Sequence, residues 1–236
     1  MTPWLLIPVK SLTGGKSRLA RILEPGSRRD LNEFFLHRML EAASRFPGRG
    51  RTAVVSGCGD VLQLAEDHGV TAIHERSSRG LNPAATLGIA ALRARGAGDI
   101  LLIACDLPLV RPEDLRDLAD QGSRQQRIVI CPDKHGSGTN AIFLPAQITM
   151  RFRFGENSFS KHVFSGVRDG LLPDVWIHDR IAFDIDTVDD LAEWERRCTM
   201  AGELPKKFSA AGLPLEIRPL MPIRSGSGVR HEETSS

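Results

Sequence analysis

The chain has 236 residues, 41% of them hydrophobic, which is enough for one large α/β domain with a substantial buried core. Its 31 Lys and Arg against 29 Asp and Glu leave a formal charge of +2, far from the basic excess of a nucleic-acid binder, so small molecules are the expected partners. The first apolar run, Trp4 to Ile7, is stopped by Pro8 and has no basic leader, which argues against a signal peptide or membrane contact and for a cytoplasmic protein.

In chain order, Trp4 to Val9 reads as a strand. The segment Leu12-Thr13-Gly14-Gly15-Lys16-Ser17-Arg18-Leu19 follows it directly and leads into a short helix. Gly14 and Gly15 let backbone amides approach a phosphate, Lys10, Lys16 and Arg18 can neutralise it, and a helix start adds its dipole. This is a candidate triphosphate cradle, with a plain surface turn as the alternative. It is not a P-loop, because Lys10 stands where that motif needs glycine. Arg28 to Phe46 reads as a helix whose stripe of Leu31, Phe34, Phe35, Leu36, Met39 and Leu40 should pack on a sheet. Thr52 to Ser56 and Val70 to His74 read as strands around a helix from Asp60 to His68.

Asn82 is placed to cap a helix running from Pro83 to Arg95, with proline in the first turn. Ile100 to Cys105 reads as a fourth strand, ending on Asp106, and Pro112 to Gln121 as a helix with an acidic start. Ile128 to Cys131 and Thr139 to Leu144 read as strands that the loop from Pro132 to Gly138 can join as an antiparallel hairpin. A helical run through Val167 follows Phe154-Gly155-Glu156-Asn157-Ser158-Phe159, and another extends from Thr187 to Cys198. The alternation predicts a single α/β domain over residues 1–198, a Rossmann-like, mostly parallel sheet flanked by helices with an inserted β-hairpin. Residues 199–236, rich in Pro, Gly and Ser, are expected to form a flexible tail.

Asp184 and Asp186 alternate along an extended stretch, so both carboxylates can aim at one spot, and Asp106 closes an apolar strand. Three convergent carboxylates suit a hard cation such as magnesium, completed by phosphate oxygens. The competing reading is that each Asp only caps the following helix. Gly136-Ser137-Gly138-Thr139-Asn140-Ala141 fits a dinucleotide fingerprint but leads into a strand, which excludes a nicotinamide or flavin role. It is either a hairpin turn or a loop whose amides, with Thr139, meet an anion. Ser158 is either a phosphate or carboxylate contact or a simple cap. His135 and His162 read as structural or solvent-exposed, and Cys58, Cys105, Cys131 and Cys198, too far apart for a metal or redox motif, as reduced thiols.

Pro8-Val9-Lys10-Ser11-Leu12, Gly15-Lys16-Ser17-Arg18-Leu19, Asp106-Leu107-Pro108-Leu109, Gly138-Thr139-Asn140-Ala141 and Phe183-Asp184-Ile185-Asp186-Thr187, in that order, closely resemble the CofC/FbiD guanylyltransferases of coenzyme F420 biosynthesis. The resemblance implies a nucleotidyltransferase fold of the GT-A type, GTP as donor and magnesium. As acceptor it implies 2-phospho-L-lactate, phosphoenolpyruvate or 3-phospho-D-glycerate. It casts Asp106, Asp184 and Asp186 as metal ligands, Thr139, Gly155 and Ser158 as acceptor contacts, and Lys16 and Asn82 on the donor nucleotide. Other acceptors on the same fold (a sugar phosphate or molybdopterin), a glycosyltransferase, or a nucleotide-binding module without turnover are the alternatives. The sequence carries no signature of oligomeric state.

Overall fold

The computed structural model describes residues 2–76 and 80–201; the expected tail beyond 201 lies outside the described residues. The elements run β1 (Trp4–Pro8), α1 (Pro25–Arg45), β2 (Thr52–Ser56), α2 (Gly59–Asp67), β3 (Thr71–His74), α3 (Leu81–Ala94), β4 (Ile100–Ile103) and α4 (Pro112–Gln125). The second half comprises β5 (Val129–Pro132), β6 (Thr139–Leu144), α5 (Ser158–Arg168), β7 (Asp174–Val175), α6 (Asp179–Ala182) and α7 (Val188–Ala201).

One seven-stranded sheet has the order β3-β2-β1-β4-β6-β5-β7. β6 is antiparallel to both β4 and β5, and the remaining pairs are parallel, so the sheet is mostly parallel as expected and the hairpin is inserted within it. β1, β2 and β4 carry continuous Val, Ile, Leu and Ala because helices cover both faces of the sheet. Chain order reverses between β1 and β4, since β2 and β3 lie to one side of β1 and everything later to the other. Open α/β sheets form their binding crevice at such a switch point, at the carboxyl ends of the strands.

Helix α4 continues past the expected stop to Gln125 because Gly122 is a packing position and not a terminator. A Cβ on Gly122 would stand 2.0 Å from Cδ1 of Phe143 on β6. α3 begins one residue before Asn82, with Gly80 as its cap, so the capping role expected of Asn82 is not observed. The turn α6 and the two-residue edge strand β7 were not foreseen, being too short to show a periodic pattern.

The apolar stripe of α1 does not pack on the sheet throughout. Leu36, Met39 and Leu40 join Leu5, Ile7 and Leu101 beneath the sheet. Leu31 and Phe35 join a separate cluster with Leu19, Phe183, Ile185, Leu191 and Trp194. That second cluster positions the site. Phe183 and Ile185, at 3% and 0% exposure, alternate with Asp184 and Asp186, and burying two such side chains is worth roughly 1.5–3 kcal/mol each. The segment is nailed down on its apolar face, leaving the carboxylates on the other.

Candidate active site

A cavity of about 340 Å³ opens at the carboxyl ends of β1 and β4, beside the start of β6. Lys10, Gly14, Gly15, Lys16, Asp106, Thr139, Asn140, Phe154 and Asp186 are among its lining. Chain regions from both halves therefore meet at the switch point.

The glycine loop is held from below by Asn32 of α1, whose amide donates to the carbonyls of Leu12 (2.8 Å) and Gly14 (3.3 Å). Gly15 and Lys16 then take successive left-handed conformations, φ 86° and 52°, turning the lysine back over the strand ends. The helix that follows is a five-residue 3-10 turn, Ser17–Arg21, so the expected helix dipole adds little. Lys10 is exposed at the cavity rim. Arg18 lies on the outer side, its guanidinium exposed and 3.9 Å from Asp186.

The Lys16 ammonium, 5% exposed, donates to Asp106 and to the carbonyl of Ile185, and stands 3.4 Å from Asp186. Burial alone would pull the lysine pKa down. The Asp106 and Asp186 carboxylates outweigh that effect and hold it above its ordinary value, so Lys16 is a permanent cation among acids. The Ile185 amide donates to the Asp106 carbonyl at 3.4 Å, tying the two acid-bearing segments together.

Asp184 is half-buried, 3.5 Å from the Asn140 amide. Desolvation first, then repulsion from Asp106 and Asp186, pushes its carboxyl up to about 6. Asp184 thus senses the charge of the other two aspartates. None of them caps a helix: the first turn of α4 is satisfied at Arg111 and Asp114, and Asp190 accepts the amides of Asp186 (2.9 Å) and Thr187 (2.7 Å) ahead of α7.

Among the described residues no three His, Cys, Asp or Glu side chains form a ready cage for a metal. Hard carboxylate oxygens are the donor type that suits a magnesium ion, and a divalent charge would offset the desolvation and the repulsion that lift Asp184. In this arrangement Lys16 supplies the neutralising charge for Asp106 and Asp186.

On the opposite wall, Thr139 opens β6 and is buried apart from the face it shows the cavity. His162 stands 3.0 Å from its hydroxyl, and Ser158 donates to the same oxygen at 3.3 Å. Ser158 is therefore 2% exposed and engaged inward, and Asn157, at the cap position of α5 with φ 52°, makes no capping hydrogen bond. Gly155 stands at φ 118° just before α5 and accepts the Ser158 amide.

Asn82 forms a two-way clasp with Phe154, accepting its amide at 2.6 Å and donating to its carbonyl at 3.1 Å. It fixes the loop that carries Phe154 and Gly155 instead of presenting a free amide to a nucleotide. The hairpin loop also keeps its amides to itself, because Asp133 accepts from the backbone of His135 (3.1 Å) and Ser137 (2.8 Å). The segment is a hairpin turn between β5 and β6. His135 is exposed, whereas His162 is fully buried.

Asn140 was quoted within a motif but given no role. Its amide donates to the carbonyls of Ile181 (2.9 Å) and Ala182 (3.2 Å), locking the aspartate strap onto β6. Cys105 lines the cavity, and desolvation with the adjoining Asp106 carboxylate pushes its thiol up to about 12, which disfavours the thiolate. All four cysteines are free. Among the described residues no helix is long and apolar enough to cross a membrane.

The fold has solved counterparts. A Desulfovibrio desulfuricans protein described as a nucleotide-diphospho-sugar transferase superposes with TM-score 0.70 at 18% identity, covering 90% of this chain and 93% of its own. A nucleotidyl transferase from Methanothermobacter thermautotrophicus gives TM-score 0.58 at 17% identity, covering 84% and 99%. These likenesses establish an α/β nucleotidyltransferase fold. By sequence, the phosphoenolpyruvate guanylyltransferase of Rubrobacter xylanophilus is 36% identical over 195 residues, 83% of this chain and 94% of that protein. The 2-phospho-L-lactate guanylyltransferase of Methanothermobacter thermautotrophicus is 31% identical over 188 residues, 80% and 82% of the two chains. With the model of the CofC-like guanylyl transferases matching residues 4–202, all of the described domain from β1 to α7, the chain belongs to that family.

Proposed function

We propose that this enzyme transfers GMP from GTP to the phosphate of a three-carbon phosphorylated acid: phosphoenolpyruvate, 2-phospho-L-lactate or 3-phospho-D-glycerate. The observation that carries the reading is the convergence of a glycine loop, a buried lysine, Asp106 and Asp186 on one switch-point cavity, with Asp184 close enough to feel both carboxylates. The names of the relatives support guanine and the acid class, and membership of the CofC-like family supports a role in coenzyme F420 biosynthesis. The four free thiols favour a cytoplasmic setting.

In this reading Lys10, Gly14, Gly15, Lys16 and Arg18 hold the donor phosphates, and Asn82 contributes by fixing the Phe154 loop. Thr139 is the acceptor contact on the cavity wall, with Ser158 bonded behind it and Gly155 shaping the loop before α5. An oxygen of the acceptor phosphate attacks the α-phosphorus of GTP. The new bond is a phosphoanhydride to GMP, and the bond from the α-phosphorus to the bridging oxygen breaks, that oxygen leaving with pyrophosphate. A phosphate monoester has its second pKa at about 6, so the attacking oxygen is already ionised at neutral pH and requires no general base. The cavity's lining accordingly contains no histidine among the described residues, and His162 sits behind Thr139.

The work of the protein is to bring two anions together and offset their charge. Lys16 is the fixed cation for this. Asp106, Asp184 and Asp186 are the residues that would hold a magnesium ion, which when bound would neutralise charge on the phosphates. Incubating the purified protein with GTP, magnesium and each acid in turn should release pyrophosphate and give a product whose mass identifies the acceptor. No release with any of the three would refute the assignment, and a product built on a sugar phosphate or molybdopterin would replace it.

A further inference from the structure

We propose that His162 is a positioning residue that forces Thr139 to act as a hydrogen-bond donor toward an anionic group of the acceptor, a role that rests on the guanylyl-transfer reading. The argument is one of hydrogen-bond direction. His162 Nε2 lies 2.8 Å from the backbone nitrogen of Arg153, and an amide N–H can only donate, so Nε2 is the acceptor nitrogen and carries no proton. A neutral ring then has its proton on Nδ1, which faces Thr139 Oγ1 at 3.0 Å and donates to it.

The ring stays neutral because it is buried, with the Phe154 ring edge-on at 4.8 Å and Phe152 at 6.4 Å. Ser158 Oγ donates to the same threonine oxygen. A hydroxyl has two lone pairs and one proton. With both lone pairs filled by His162 and Ser158, Thr139 has only its proton left to offer, and its remaining open side is the cavity. The position therefore demands an acceptor atom, such as a carboxylate or phosphate oxygen, and rejects a donor.

This wiring separates two functions that one histidine performs: Nε2 anchors the 152–155 loop, and Nδ1 orients Thr139. Two substitutions separate them as well. In His162→Asn the side-chain amide reaches the Nδ1 position and can still donate to Thr139, while the Arg153 amide loses its partner. In His162→Gln the longer side chain reaches the Nε2 position and serves Arg153, while Thr139 loses its donor and is free to turn its proton inward.

The test is steady-state kinetics of the full chain with GTP, magnesium and the acid the wild type uses. His162→Gln should raise the acceptor KM roughly tenfold or more, the worth of a hydrogen bond to a charged group, with the KM for GTP within about twofold. His162→Asn should keep the acceptor KM within about threefold. Thr139→Val should match His162→Gln, and the double variant should be no worse than either alone. Equal acceptor KM values in the Asn and Gln variants, or a KM for GTP that rises in step with that for the acid, would overturn the proposal in favour of a purely structural histidine. Nitrogen-15 spectra of the histidine ring should show a bare Nε2 in the free protein, and a proton there would overturn it without any turnover measurement. If the wild type releases no pyrophosphate with any acid, the reaction assignment falls, and the acceptor-directed role falls with it whatever the ring spectrum shows.

Discussion

Burial of His162 has a thermodynamic signature that can be worked out in advance. Desolvation lowers its pKa from an ordinary 6.5 to about 4. As pH falls through this window the unfolded chain takes up a proton that the folded one refuses, so stability is full above pH 6.5 and is lost progressively down to about pH 4. That lowering corresponds to roughly 3 kcal/mol at its limit, of which roughly 2.5 kcal/mol should vanish between pH 7 and 4.5. Asp184 acts in the opposite sense: with its carboxyl pushed up to about 6, the folded state takes its proton first and gains stability as pH falls. The two effects offset each other in the wild-type profile, so the informative quantity is a difference. Urea unfolding of wild type and His162→Asn, measured in parallel across that range, should show the stability advantage of wild type shrinking as the solution is acidified. Parallel profiles would show that the ring is not the neutral, desolvated group described above, and would refute the reasoning.

Asp106→Asn should abolish pyrophosphate release while circular dichroism and the melting curve show a folded protein; unchanged turnover would remove Asp106 from the charge-balancing set. Gly122→Ala should destabilise by about 1–3 kcal/mol or more in denaturant titration, because the new methyl group must displace Phe143. Arg180→Met should cost about 3–5 kcal/mol, since Arg180 pairs through two nitrogens with Asp114, whose side chain is fully buried in the first turn of α4. An unaltered unfolding midpoint would show that His178, 3.4 Å away, suffices for that carboxylate. Lys16→Met should lower kcat by at least about a hundredfold, through loss of the fixed positive charge at the reacting phosphates, with the fold retained.

Much of the site was legible in the chain because its ingredients are local. Apolar runs and their turn residues marked the strands, two of them with the ends observed, at Thr52–Ser56 and Thr139–Leu144. The alternation of apolar and acidic residues in Phe183-Asp184-Ile185-Asp186 already separated a buried face from a charged one. Tertiary structure decided the rest, because a side chain's role depends on which partners the fold brings within hydrogen-bonding reach. Nothing local says that Asn82 will clasp Phe154, 72 residues away, rather than cap its own helix, or that the amides of the hairpin loop will be claimed by Asp133. His162 looked incidental because its two hydrogen-bond partners, Arg153 and Thr139, lie 9 and 23 residues distant and have no spacing rule. Lys16 was readable as a phosphate ligand, but its seat between Asp106 and Asp186 comes from strands β1 and β4 lying side by side and from Phe183 and Ile185 anchoring the aspartate strap. Sequence determined which chemical groups were available and which faces of each element were apolar; packing those faces in one core determined which groups meet.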